Sequence, residues 1–307
     1  MNSSKSFPLS SQPDRHHNLD LLTEVNLDDL VSAFGWEGNP ILSRMLRTVF
    51  TGSARKFAEV MLEFDDGVGE RGFADAARQM LRKYTQDVRI FSDPLPAGPF
   101  LALSNHPGMV DTLALFSALN RLDLKIIAVD RPFLKALPNT SEKLFYVTDD
   151  QSSRIALVRQ VSGHLRSGGT VLTFPGGEIE PDPNVYPGAV EALQNWTDSV
   201  GVFLRMAPET PILPVLVRGV LWEKTANHPL SYVKKTREER ETLAAAFQFL
   251  IQILFNRKPL DVTVQIGKAI TVAELGSKET QVIHQAVLTE MQRLIENPPE
   301  GEGVSIL

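Results

Sequence analysis

Residues 99–119 read PFLALSNHPGMVDTLALFSAL. A short, almost wholly apolar run gives way at Pro107-Gly108 to a stretch with helical spacing, Thr112 onward. A strand apolar on both faces must be covered on both sides, which is the signature of a parallel sheet rather than of an antiparallel one with a wet face. The same alternation recurs downstream. LKIIAVD (124–130), KLFYVT (143–148), GTVLTFP (169–175), TPILPVLVRGV (210–220) and DVTVQIGKAI (261–270) are short β-branched or apolar runs. Between several of them lie helical patterns at 112–122, 153–168 and 188–206. Strand–helix alternation predicts an α/β fold, a mostly parallel sheet flanked by helices.

Upstream, residues 19–90 read as an N-terminal helical segment of three or four helices with short joints. Asn26 is expected as one cap, with Gly35 as the stop. Asn39 is expected as another, with Pro40 at the first helical position. Residues 1–18 read as a disordered tail, 91–297 as the α/β domain and 298–307 as a C-terminal tail. A long helix is expected over 238–255. A last one runs over 277–296, with Ser277 as its cap and Pro298-Pro299 as its end.

Bulk composition narrows the function. The chain has 307 residues, 43% of them hydrophobic, and a net charge of −6. That balance argues against a nucleic-acid partner. Cysteine is absent, so disulfides, thiolate metal sites and a cysteine nucleophile are excluded. No metal site is expected; His16-His17 in the N-terminal stretch are read as incidental. No run reaches the ~20 apolar residues of a membrane span. GVGERG (67–72) has dinucleotide-loop spacing, but a helix precedes it where a strand is required.

Three stretches carry chemistry. His106 stands five residues before Asp111, at a predicted helix start where N–H groups and the helix dipole favour a carboxylate. A turn between them lets Asp111 accept a hydrogen bond from one ring nitrogen and leave the other free as a base. Read alone, the pair is more readily an N-cap and a loop histidine. Phe174-Pro175-Gly176-Gly177-Glu178 ends a buried strand, and two glycines there admit a ligand close to the backbone. Read alone, it is equally an ordinary turn. Residues 210–220, with Arg218, read alone are a buried strand.

Together and in this order, the three resemble the glycerolipid acyltransferase superfamily over about residues 95–220. Asn105, His106 and Asp111 match its Asn-His-x4-Asp motif. Phe174-Pro175-Gly177 resembles its third motif, usually Phe-Pro-Glu-Gly-Thr. PILPV (211–215) resembles the fourth, and the N-terminal helices resemble the leader of the hemolysin-related branch. Gly176 stands where that glutamate is usual, Glu178 at the threonine and Ile179 at a frequent arginine. Thr148 replaces the second motif's arginine, with Arg154 six residues on.

The resemblance implies an acyltransferase with His106 as general base and Asp111 as its orienting partner. Asn105, Phe174, Pro175, Gly176, Gly177 and Glu178 would line the substrate, with N–H groups near Gly176 and Gly177 as oxyanion donors. Arg131, Arg154 and Arg218 are the cations available for a phosphate. The donor would be an acyl thioester, acyl-CoA or acyl carrier protein, as co-substrate without a further cofactor. The acceptor would be a lipid or glycerol-type hydroxyl, and the lost arginines make a phosphorylated acceptor a poor one. Such a protein would be cytoplasmic, working peripherally at the membrane surface. A catalytically inactive binding protein on this fold and a hydrolase using the same dyad are the alternatives.

Overall fold

The computed structural model describes residues 12–92, 94–148, 150–223, 240, 243, 244, 248 and 260–307. Three helices open the chain: α1 (Gln12–Phe34), α2 (Pro40–Arg71) and α3 (Phe73–Tyr84). Asn39 caps α2 as expected, its side-chain oxygen accepting from the Ile41 and Leu42 amides at 3.2 and 3.1 Å. Asn26 caps nothing. It lies inside α1, because Leu19 and Leu22 carry the helix's apolar face upstream, where they pack on Ala58 and Leu62 of α2. Residues 12–18, read as tail, therefore belong to a helix. The GVGERG stretch is mostly the last turn of α2, and only Gly72, with φ of +85°, makes the joint to α3.

The sheet begins before residue 91. Its strands are β1 (Thr85–Phe91), β2 (Leu101–Ser104), β3 (Leu124–Val129), β4 (Leu144–Val147), β5 (Thr170–Thr173), β6 (Ile212–Arg218), β7 (Leu260–Ile266) and β8 (Val304–Ser305). Their order is β4-β3-β5-β2-β6-β7-β1-β8. The first five are mutually parallel; β7 runs antiparallel to β6, β1 parallel to β7, and β8 antiparallel to β1. The expected mostly parallel α/β sheet is what forms. The C-terminal tail is in part a strand: β8 satisfies the outer edge of β1.

The crossover segments are α4 (Met109–Leu119), α5 (Pro132–Lys135), α6 (Pro138–Ser141), α7 (Gln151–Arg166), α8 (Ala189–Ala192), α9 (Ser199–Met206), α10 (Val272–Leu275) and α11 (Thr280–Glu296). The pattern of β2 shows why the strand is apolar throughout. Ala102 joins the core with α3 and α4, while Leu101 and Leu103 join the core with α7, α9 and α11 on the opposite face. The stretch 188–206 does not form one helix. It breaks at Trp196, which is extended and buried in the core shared with α7, α9 and α11. Ser277 is not the cap of α11; it precedes the helix and accepts from the Glu279 amide at 3.1 Å. The helix expected over 238–255 lies almost wholly outside the described residues.

Candidate active site

Five parallel strands end on one edge, the location at which open α/β sheets bind ligands. The chain leaves β2 there through Asn105 and turns back at Pro107-Gly108 into α4. Asp111 falls in that helix's first turn and is fully buried. Its Oδ2 lies 2.8 Å from Nδ1 of His106 and accepts from the Gly108 amide at 3.1 Å. Its Oδ1 accepts from the amide of Thr112 and from that residue's hydroxyl. The carboxylate is thus held by four contacts, and through it the ring of His106 is oriented. The His106 side chain is 28% exposed, packs on the Phe174 ring at a centroid distance of 4.7 Å, and has no partner at Nε2 among the described residues. Burial pushes its pKa down. The charge and hydrogen bond of Asp111, with the charge of Glu180, outweigh that and hold it above the ordinary imidazole value.

Glu180 is the group that sequence reasoning missed. Its amide donates to the His106 carbonyl at 2.9 Å, and its Oε2 accepts the His106 amide at 3.0 Å. Its Oε1 accepts from Nε1 of Trp196 at 2.6 Å. Burial raises this carboxyl from an ordinary 4.5 to about 7, against the lowering pull of those hydrogen bonds and of His106. Two residues on, Asp182 accepts from the amides of Gly219, Val220 and Leu221 at 2.8–3.0 Å, and so ties the loop after β5 to the end of β6. The sequence signal was only the acidic run Glu178-Ile179-Glu180-Pro181-Asp182, in which nothing separates the inward carboxyls from the outward one.

The other expected site residues divide. Phe174 packs its ring on that of His106, and Pro175 beside it is buried. Gly177 adopts φ of +72° and gives its N–H to the Phe174 carbonyl at 3.1 Å, so that amide is committed to the turn and is not an oxyanion donor. Gly176 is where a side chain is excluded: a Cβ there would sit 3.0–3.3 Å from the Glu180 carboxyl. Glu178 is exposed, and Glu180 is the carboxyl that meets His106.

Asn105 forms a clasp between β2 and β6. It is buried, its Nδ2 donates to the Val217 carbonyl at 2.9 Å, and its Oδ1 accepts the Val217 amide at 2.8 Å. Arg218 is engaged as well. It is buried on the α11 side, donating to the Leu294 carbonyl at 2.7 Å and to Gln265 at 3.2 Å. Arg154 is exposed at the start of α7, its Nε 3.4 Å from the Thr148 carbonyl. Arg131, exposed just before α5, is the cation whose charge reaches His106, where it opposes protonation. Among the described residues no group of three or more His, Asp or Glu is arranged to hold a metal ion.

The comparisons bear on this geometry. Residues 76–218 match the family model described as Acyltransferase, a stretch that contains β2, β5, β6 and every residue of the dyad and its surrounding loops. That match supports an acyltransferase domain over residues 76–218, in keeping with the resemblance to the glycerolipid acyltransferase superfamily. Among solved structures, the crystal structure of the 1-acyl-sn-glycerophosphate (LPA) acyltransferase PlsC from Thermotoga maritima is similar at 17% identity and a TM-score of 0.45, covering 92% of this chain and 96% of that one. No curated protein matches.

Proposed function

We propose that this chain moves a fatty acyl group from an acyl thioester, acyl-CoA or acyl carrier protein, to a hydroxyl of a lipid or glycerol-type acceptor. The observation that carries the reading is the 2.8 Å contact between Nδ1 of His106 and the fully buried Asp111, which leaves Nε2 open at the sheet's ligand-binding edge. Nε2 takes the acceptor's hydroxyl proton as the oxygen attacks the thioester carbonyl. The tetrahedral oxyanion collapses, the carbon–sulfur bond breaks, and the imidazolium returns its proton to the leaving thiolate. Asp111 holds the tautomer and stabilises the imidazolium. The acyl group passes directly from thioester to acceptor in this mechanism, with no protein nucleophile interposed.

A phosphate on the acceptor would need cations. Arg218 is withdrawn into the core, and Thr148 stands where the superfamily usually carries arginine; of the three arginines expected for a phosphate, Arg131 brings its charge to His106. Acceptors with a weak or absent phosphate are therefore favoured over glycerol 3-phosphate and lysophosphatidic acid. The membrane surface is the natural place for such substrates. No helix among the described residues is long and apolar enough to cross a membrane, so the contact proposed is peripheral. Ile41, Met45 and Val49, exposed by 79, 53 and 66% along one side of α2, supply an apolar stripe for it.

The test is thiol release from acyl-CoAs with a panel of lipid hydroxyls, lysophosphatidic acid included. Turnover with phosphate-free acceptors that falls ~10²- to 10⁴-fold in a folded His106→Ala variant is the expected result. Release without any acceptor would make the protein a hydrolase. Undiminished turnover in His106→Ala would remove the dyad from the mechanism. A strong preference for lysophosphatidic acid that Arg131→Ala abolishes would show that a phosphate site survives.

A further inference from the structure

We propose that Glu180 is a positioning residue for His106, fixing its backbone and setting the charge that faces its ring. This rests on the reading of His106 as the base. The geometry is reciprocal. Glu180 gives its amide to the His106 carbonyl at 2.9 Å and receives the His106 amide on Oε2 at 3.0 Å, so both polar backbone groups of the base are held by one residue. The second carboxyl oxygen is fixed in turn by the Trp196 indole at 2.6 Å. Trp196 is the point at which the helical stretch 188–206 breaks, so a disruption of regular structure delivers this donor. Gly176 completes the arrangement, because the carboxyl fills the space in which a side chain at that position would sit. A buried carboxyl hydrogen-bonded to the backbone of a catalytic base, inside the loop that also carries Phe174, does more than fill space. When ionised it adds a second negative charge beside the imidazolium, and when protonated it withdraws it.

The charged groups that face His106 are Asp111 from α4, Arg131 from the segment before α5, and Glu180 from the loop after β5. Those facing Glu180 are His106 and Asp111. Removing the Glu180 charge therefore leaves one carboxylate opposed by one guanidinium, and the ring must lose its proton more readily. Glu180→Gln keeps an acceptor for Trp196 but turns the other oxygen into a donor facing the His106 amide.

The experiment pairs kinetics with an NMR titration of the His106 ring, assigned by its absence in His106→Ala. In Glu180→Gln the His106 titration is expected to move to lower pH. The acid limb of the thiol-release rate should move with it. kcat should fall ~10- to 100-fold from misplacement of the base, while KM stays within about threefold. Gly176→Ala, which needs no unusual backbone angle and crowds only the carboxyl, should move both readouts in the same sense if Glu180→Gln proves too unstable to measure. An unmoved His106 titration in a folded variant overturns the proposal, whether kcat falls or not, since a merely structural role would leave it in place. If the wild type releases no thiol from any acyl thioester, the functional reading fails, and the titration still decides whether Glu180 governs His106.

Discussion

At the scale of single residues, the dyad makes a prediction about pH whose sign is fixed by the geometry. As the proposed base His106 would work only when neutral, and it is held above its ordinary value, near 6.5, chiefly by Asp111 once burial is overcome. The rate should therefore rise with pH through a midpoint above that value. Asp111→Asn removes the strongest support for the imidazolium, so the midpoint should drop while the plateau falls at least ~10²-fold because the tautomer is no longer held. A pH–rate profile of the variant checks both; an unmoved midpoint would mean that Asp111 does not face the working base. The dyad itself was legible because its two members are five residues apart and one short turn brings them together. Asn105 shows the limit of that legibility. Its hydrogen-bond partner, Val217, lies more than a hundred residues away, so no local reading could supply it. Glu180 was hidden for the same reason. Which of two glutamates in Glu178-Ile179-Glu180 points inward depends on Trp196 and on the φ of Gly177, neither of which a local reading supplies.

At the scale of elements, the sheet was readable and the joints were not. Both-face burial leaves a continuous apolar run, and β2, β5 and β6 show it plainly. Caps failed where packing overrode propensity: Asn26 is absorbed into α1, and its amide reaches the Ala54 carbonyl of α2 at 3.5 Å. The element with an unexplained surface is the first half of α2. Ile41, Met45 and Val49 recur at four-residue spacing and remain exposed beside Arg44, a costly arrangement in water and a favourable one at an anionic interface. Replacing Ile41 and Val49 by Asp together should cut sedimentation with anionic lipid vesicles by ~10-fold or more, since each side chain loses on the order of 1–2 kcal/mol of transfer energy. Thermal stability should hardly change, because neither residue is packed. Vesicle binding that survives the double substitution would place the membrane contact elsewhere.

At the scale of the whole molecule, the terminal residues close the sheet. Residues 298–307 carry no long apolar run and read as a tail, yet Arg89 pairs with Ser305 and Ile90 with Val304 along the edge of β1. The Ile306 amide donates to the Val88 carbonyl at 3.1 Å, and the Ser305 hydroxyl donates to Asp87 at 2.6 Å. Ile306 and Leu307 pack against the core. Gly303, with φ of +62°, lets the chain pass the Phe91 ring, where a Cβ would come within 2.7 Å. A strand of two residues is invisible to periodicity; only the edge it covers explains it. An open β1 edge would offer its unpaired amides and carbonyls to another chain. Removing residues 300–307 should cost about 2–4 kcal/mol from lost hydrogen bonds and apolar burial, lower Tm by ~5 °C or more, and raise light scattering on heating. Gly303→Val should act in the same direction with the chain length unchanged, because it strains the backbone and crowds Phe91. Calorimetry with scattering detection decides it: a truncated protein that melts at the wild-type temperature and stays dispersed would show that β1 needs no cover and that the strand at 304–305 adds nothing to the fold.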